Sequence, residues 1–196
     1  MDYILLILFL IASYLLGSVP FALIVGKVFY KTDIRGHGSG NLGGTNTFRV
    51  LGKKAGLIVA LGDVLKGSLA ASLPILFGSD LNPLIIGIPA VIGHCYPIFA
   101  QFKGGKAMAT SGGVLLIADP VLFLIMFVCF LLFLKLTKIV SLSSMISTVI
   151  FHAIIIWQGE IAAALATLFL LVFIFYRHRE NIARIVGKTE PKIKWL

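Results

Sequence analysis

Residues 38–49 read Gly-Ser-Gly-Asn-Leu-Gly-Gly-Thr-Asn-Thr-Phe-Arg. Four glycines in this stretch let backbone approach a ligand closely and turn amide N–H groups toward an anion. Ser39, Asn41, Thr45 and Asn46 add neutral hydrogen-bonding groups, and Gly43 and Gly44 add amides. Arg49 adds a planar cation suited to phosphate. A flexible turn needs fewer polar groups than this. The same residues match GxGxxG at 38–43, but no strand precedes them and no βαβ unit can be built around them, so the dinucleotide reading fails.

A second segment runs Gly93-His94-Cys95-Tyr96-Pro97, then Phe102-Lys103-Gly104-Gly105-Lys106-Ala107-Met108-Ala109-Thr110. Lys-Gly-Gly-Lys directly before an apolar helix offers unpaired amides at a helix start together with two ammonium groups, a second anion site. It is not a Walker A loop, because Ala107 follows Gly105-Lys106 and Ala100 stands where the first glycine belongs. His94, at the end of a span, reads as a structural hydrogen-bonding group. The third segment is His178-Arg179-Glu180-Asn181-Ile182-Ala183-Arg184, continuing to Glu190. His178 and Asn181 are three apart and share one face of a helix.

Two charges lie inside an apolar run: Asp63 and Lys66, spaced i, i+3. Mutual pairing is the usual way such residues are tolerated in a membrane, which makes them a supporting ion pair. His152, in the middle of another run, is expected to make an interhelical hydrogen bond. Cys95 and Cys129 have no metal-type spacing and read as apolar filler without a disulfide.

These segments need a scaffold, and composition says which kind. Of 196 residues 59% are hydrophobic and 13% charged, with mean hydropathy +1.03; a soluble domain carries about a quarter charged residues. Lipid is therefore the solvent for most of the chain. The first apolar run continues to about Val28, too long for a cleaved signal peptide. The net charge of +9 reflects basic loops between apolar runs, not a nucleic-acid surface.

A bilayer core of about 30 Å needs about 20 residues of helix. Clear spans are expected at 3–28, 57–78, 81–100, 139–157 and 160–176, and the block 107–135 is divided at Asp119-Pro120. Basic residues crowd into 27–56, Lys103–Lys106, Lys135–Lys138 and the tail including Lys194, whereas Asp2, Asp80, Asp119 and Glu160 occupy the other connections. The positive-inside rule puts the first set in the cytoplasm. The expectation is a single all-α domain over 1–196: a polytopic transmembrane bundle of seven spans, N-terminus outside and C-terminus cytoplasmic. The two halves of the block, about 104–118 and 121–135, are short. Five spans, merging parts of 107–176, is the alternative.

In order, the three polar segments resemble the signatures of the bacterial acyl-phosphate:glycerol-3-phosphate acyltransferase family. Ser39 to Arg49 is similar to SGNxGATNxxR, with Gly44 for alanine. Gly93 to Thr110 is similar to GHxxPxxxxFKGGKGVAT, with Ala107-Met108 for Gly-Val. His178 to Arg184 and Glu190 are similar to HRxNIxR and its following glutamate. The resemblance covers nearly the whole chain. It implies transfer of a fatty acyl group from acyl phosphate to the 1-hydroxyl of glycerol 3-phosphate at a multi-pass bacterial inner membrane, with lipid around the helices and the active site on the cytoplasmic side.

On that reading His178, Ser39, Arg49 and Lys106 are catalytic. Asn41, Gly43, Gly44, Thr45, Asn46, Lys103, Gly104, Gly105 and Asn181 bind substrate, while Asp63, Lys66 and Glu190 give structural support. No metal or other cofactor is expected, since Asp33, Glu180 and Glu190 are too sparse in the cytoplasmic loops for a magnesium cluster. A transporter or binding protein for a small phosphorylated anion is the competing class, and it leaves unexplained why polar groups crowd on one side. Other lipid enzymes fit worse. None of His37, His94, His152 and His178 has Asp five residues on, as HxxxxD acyltransferases require, and the aspartates of CDP-alcohol phosphotransferases are missing.

Overall fold

The computed structural model describes residues 3–193. Asp2 and Lys194, both used in the charge reading, lie outside the described residues. Those described are helical and contain no strand. The helices are α1 (Tyr3–Gly17), α2 (Phe21–Tyr30), α3 (Gly44–Leu51), α4 (Lys53–Leu76), α5 (Pro83–Cys95), α6 (Met108–Ala118), α7 (Pro120–Thr137), α8 (Val140–Gln158), α9 (Ile161–Arg177) and α10 (Arg179–Val186). Each expected span is occupied by helix. Five stretches are long and apolar enough to cross a membrane: 3–30, 53–76, 83–100, 120–137 and 140–158. The pair α9 and α10, bent by 59° at its break, makes a sixth if taken as one span. At 11 residues, α6 reaches only about 17 Å.

Two details depart from the sequence reading. The first span is broken at Ser18–Pro20, because Pro20 donates no backbone hydrogen bond and disfavours helix at Val19. Residues 44–51, read as loop, form α3. Gly43 in extended backbone caps its start, and Gly52 at φ 87° ends it.

The chain divides into two compact units, residues 1–120 and 121–196. In the first, α4 is the axis on which α1, α2, α3, α5 and α6 pack. Its glycines permit this. Gly56 lies under the Phe48 ring, Gly62 under Phe21 and Gly67 against the Thr110 backbone; a methyl group at any of them would collide with its neighbour. Gly113 of α6 meets the Val64 carbonyl in the same way. Small residues that let helix backbones approach are the usual device where lipid removes the hydrophobic drive for association.

Polar joints complete the packing. Pro89 sits inside α5 and disturbs its ladder. The Ser13 hydroxyl of α1 enters there, accepting from Ala90 N–H at 3.1 Å and donating to the Ile86 carbonyl at 2.6 Å. Tyr14 donates to the Tyr96 carbonyl at 2.9 Å.

In the second unit α8 packs on α9. His152 Nδ1 and Thr167 Oγ1 lie 2.9 Å apart, the interhelical hydrogen bond expected of this histidine. Ser143, Ser147 and Thr148 return their hydroxyls to carbonyls four residues back, so α8 presents few unsatisfied polar groups. The tail folds back after α10, where Ile193 N–H donates to the Lys138 carbonyl at 2.8 Å.

Candidate active site

The first glycine segment is a turn braced by the helix that follows it. Gly38 and Gly40 take φ +60° and +67°, a region other residues enter at a cost. Asn46, buried on α3, accepts from Ser39 N–H through Oδ1 at 2.9 Å and donates from Nδ2 to the His37 carbonyl at 3.1 Å. Its amide is thus committed to the turn, while Ser39 itself is exposed. Thr47 donates to the Gly43 carbonyl at 3.1 Å. Thr45 and Arg49 stand exposed on α3, and Asn41 is half-buried. Ahead of the turn, Asp33 holds Arg35 through three hydrogen bonds from the guanidinium, the shortest 2.6 Å. That partner keeps the Asp33 carboxyl well below the usual range.

The second segment is moulded on residue 94. Gly105 N–H donates to the His94 carbonyl at 3.0 Å. Gly104 lies so close to that carbonyl that any side chain would strike it, and Gly105 leaves the place that the His94 ring fills. Both glycines are buried, Lys106 is half-buried and Lys103 is exposed. The turn is held between left-handed residues: Gln101 and Phe102 at φ 56° and 58° precede it, and Ala107 at φ 57° follows. Strained backbone of this kind persists where the surroundings impose it.

The first segment packs on α4, and the second reaches the same helix through His94. Gly44 packs on Ala60 of α4. One turn on, Asp63 Oδ1 lies 2.8 Å from Lys66 Nζ and 3.3 Å from His94 Nδ1. Lys66 Nζ also donates to the Val19 carbonyl at 2.9 Å, in the break between α1 and α2. His94 Nδ1 is 3.1 Å from Thr110 Oγ1 on α6. Beside this, Leu42 of the first segment and Ala100 of the second belong to one apolar cluster with Ala22, Val25, Ile34, Ala55 and Val59. Two glycine-rich, cation-bearing segments are thereby fixed side by side within the first unit.

The third segment belongs to the second unit. His178 marks the junction of α9 and α10 and is buried. Its Nδ1 is 2.8 Å from the Ile174 carbonyl. That carbonyl can only accept, so Nδ1 carries the proton and Nε2 is the basic nitrogen of the neutral ring. Asn181 Nδ2 donates to Glu190 Oε1 at 2.5 Å, Ser141 donates to the same oxygen at 2.7 Å, and Arg184 Nε donates to Oε2 at 2.7 Å. Burial opposes ionisation of Glu190, but the bonds from Ser141, Asn181 and Arg184 prevail and hold its carboxyl below the ordinary value. Glu190 therefore ties the tail to α10 and α8.

The sequence marked Asn46 as a substrate-binding residue without revealing that its amide is spent on Ser39, because 44–51 read as loop and only the structure places Asn46 buried on a helix. It marked His94 as structural without a partner. Asp63 is 31 residues away, and nothing in the spacing joins them. Among the described residues no group of three or more His, Cys, Asp or Glu is placed to hold a metal ion.

Comparison with known proteins gives one consistent result. A sequence model described as glycerol-3-phosphate acyltransferase matches residues 7–188. The glycerol-3-phosphate acyltransferase of Geobacillus kaustophilus is 57% identical over 191 residues, 96% of each chain. That of Bacillus subtilis is 54% identical over 98% of this chain and all of its own. Among solved structures, PlsY, an integral membrane glycerol 3-phosphate acyltransferase, superposes in its glycerol 3-phosphate form with a TM-score of 0.89. The identity is 36%, covering 96% of this chain and 95% of that one. Its lysophosphatidic acid form gives 0.86 at 35% identity.

Proposed function

This chain belongs to the glycerol-3-phosphate acyltransferase family of integral membrane proteins, and from that membership we propose that it acylates the 1-hydroxyl of glycerol 3-phosphate with an acyl phosphate as donor. The observation that carries the proposal is that segment 38–49 packs on Ala60 of α4 while the 103–106 turn packs on His94, which meets Asp63 of the same helix. Two phosphorylated substrates call for two such segments.

In the proposed reaction the hydroxyl oxygen attacks the acyl carbonyl carbon. The bond from that carbon to the phosphate oxygen breaks, and lysophosphatidate and inorganic phosphate result. The donor is already activated, so no covalent enzyme intermediate is required. Arg49, Lys103 and Lys106, with the amides of 43–44 and 104–105, bind phosphate and neutralise charge developing on the carbonyl oxygen and the leaving group. Ser39 and Asn181 orient substrate oxygens. The proton of the attacking hydroxyl goes to His178 Nε2 or to a substrate phosphate, whose second pKa of about 6 makes it a competent acceptor. His178→Ala separates these routes: turnover should fall by orders of magnitude if the ring is the base, and near-normal turnover removes it from that role.

The whole chain is proposed as one catalytic domain with seven crossings, the short α6 included, and both α6 and α7 leaving the charged ends Lys106 and Lys135 in the cytoplasm. The N-terminus is then outside and the reaction takes place at the cytoplasmic face of the cell membrane.

Purified protein should release phosphate from palmitoyl phosphate only when glycerol 3-phosphate is present, forming lysophosphatidate, and should not use acyl-CoA. Equal turnover with acyl-CoA would overturn the donor assignment. Uptake of glycerol 3-phosphate into liposomes without acyl transfer would favour a transporter instead.

A further inference from the structure

The buried pair Asp63–Lys66 is more than a neutralised charge, because its carboxylate faces a group that touches the lysine-glycine turn. Asp63 is 1% exposed, Lys66 3% and His94 5%. Five segments meet at this point: the α1–α2 break through Val19, α4 through Asp63 and Lys66, the end of α5 through His94, α6 through Thr110, and the turn through Gly105.

Asp63 Oδ1, 3.3 Å from Nδ1, is an acceptor that favours the Nδ1–H tautomer of the ring. Thr110 Oγ1, 3.1 Å from the same nitrogen, is then a second acceptor for that proton. With the ring so held, its opposite edge, Nε2, fills the space over Gly105, where any side chain would stand. The turn therefore closes on an imidazole packed between Asp63, Thr110 and Gly105. Lys103 and Lys106 flank that contact by two residues and one.

We infer that Asp63 is a positioning residue of this enzyme, acting through the His94 ring to hold Gly104–Gly105 in the shape that binds a substrate phosphate. Lys66 balances the carboxylate and anchors it to the Val19 carbonyl; Asp63 and His94 do not touch the substrate. This rests on the reading that the 103–106 turn binds phosphate, which Lys103→Ala and Lys106→Ala test separately.

The decisive comparison uses two double variants that both remove the buried charges. Asp63→Asn with Lys66→Met keeps an acceptor oxygen beside His94 Nδ1. Asp63→Leu with Lys66→Met keeps the branched outline of the side chain and loses the acceptor. The asparagine form should retain KM for glycerol 3-phosphate or palmitoyl phosphate within about threefold, and the leucine form should raise KM for at least one of them about tenfold or more, with a smaller change in kcat. That follows if a binding element loses its shape while the chemistry is spared. Equal KM values in the two forms would overturn the inference.

Should the leucine form not fold, Asp63→Ser with Lys66→Met takes its place, since a serine hydroxyl is too short to reach the ring. A cycle between positions 94 and 105 gives an independent reading. Gly105→Ala should be strongly impaired alone, and the added methyl should cost at least tenfold less once His94→Ser has cleared the ring. Additive effects would overturn the inference. Normal KM in the lysine-to-alanine variants would instead remove the phosphate assignment of the turn, a distinct result.

Discussion

The amide of Asn46 carries the backbone of Ser39: Oδ1 receives the Ser39 N–H at 2.9 Å while Nδ2 reaches the His37 carbonyl at 3.1 Å. Aspartate at this position has the same shape but no N–H to offer, so it sets a carboxylate against the His37 carbonyl. Asn46→Asp should lower kcat about tenfold or more by displacing Ser39, since misplacements near 1 Å can cost far more than that. Circular dichroism should stay normal. Unaltered kcat would show that the shape of the turn does not govern turnover.

Ser13→Ala should destabilise the first unit. It leaves Ala90 N–H and the Ile86 carbonyl without the hydroxyl that joins them in a fully buried joint. Each of the two buried hydrogen bonds lost contributes about 0.5–1.5 kcal/mol net. A thermal unfolding midpoint in detergent lowered by several degrees, with normal activity at low temperature, is the expected result. Ser13→Cys should recover little, because sulfur is a poor donor and acceptor.

Acid should loosen the tail. The Glu190 carboxyl is held below its ordinary value, so its contribution is fully present above the unfolded value of about 4.3 and is lost as pH falls through the folded one. Protease sensitivity of the segment after α10 should rise below about pH 4 in the native chain. In Glu190→Gln it should be raised at neutral pH and flat across that range. A pH response retained in the glutamine form would assign it to another group.

Ala107→Gly should stabilise the chain. Alanine occupies φ +57° at the start of α6, where left-handed backbone costs an ordinary residue about 1–2 kcal/mol. Part of that gain is returned as the greater freedom of glycine in the unfolded chain, leaving about 0.5–1 kcal/mol. Ala107→Val should be worse than native by a larger margin. Chemical denaturation in a mild detergent would measure both.

Charge and hydropathy made the helix bundle and the main connections between spans legible, because lipid leaves a chain few alternatives to helices of about 20 residues. The Asp119-Pro120 division between α6 and α7 was visible for the same reason, and so was the pairing of Asp63 with Lys66. What escaped was anything set by contact between distant segments. α3 was hidden because glycine at position 44 argues against helix on propensity alone, whereas in the fold that glycine lets the helix start lie on Ala60. The Asp63–His94 contact was hidden because both residues already had a plausible local role.

The glycines and the ionic pair of α4 fix how far that helix may be rewritten. Between Gly56 and Gly67 each face is already assigned to a different neighbour, and one added residue would turn everything beyond it by about 100°. A single-codon insertion there should abolish the protein, whereas one beyond Leu76, where α4 has ended, falls in a connection and should be tolerated. Length, in this stretch, is under stricter control than residue identity.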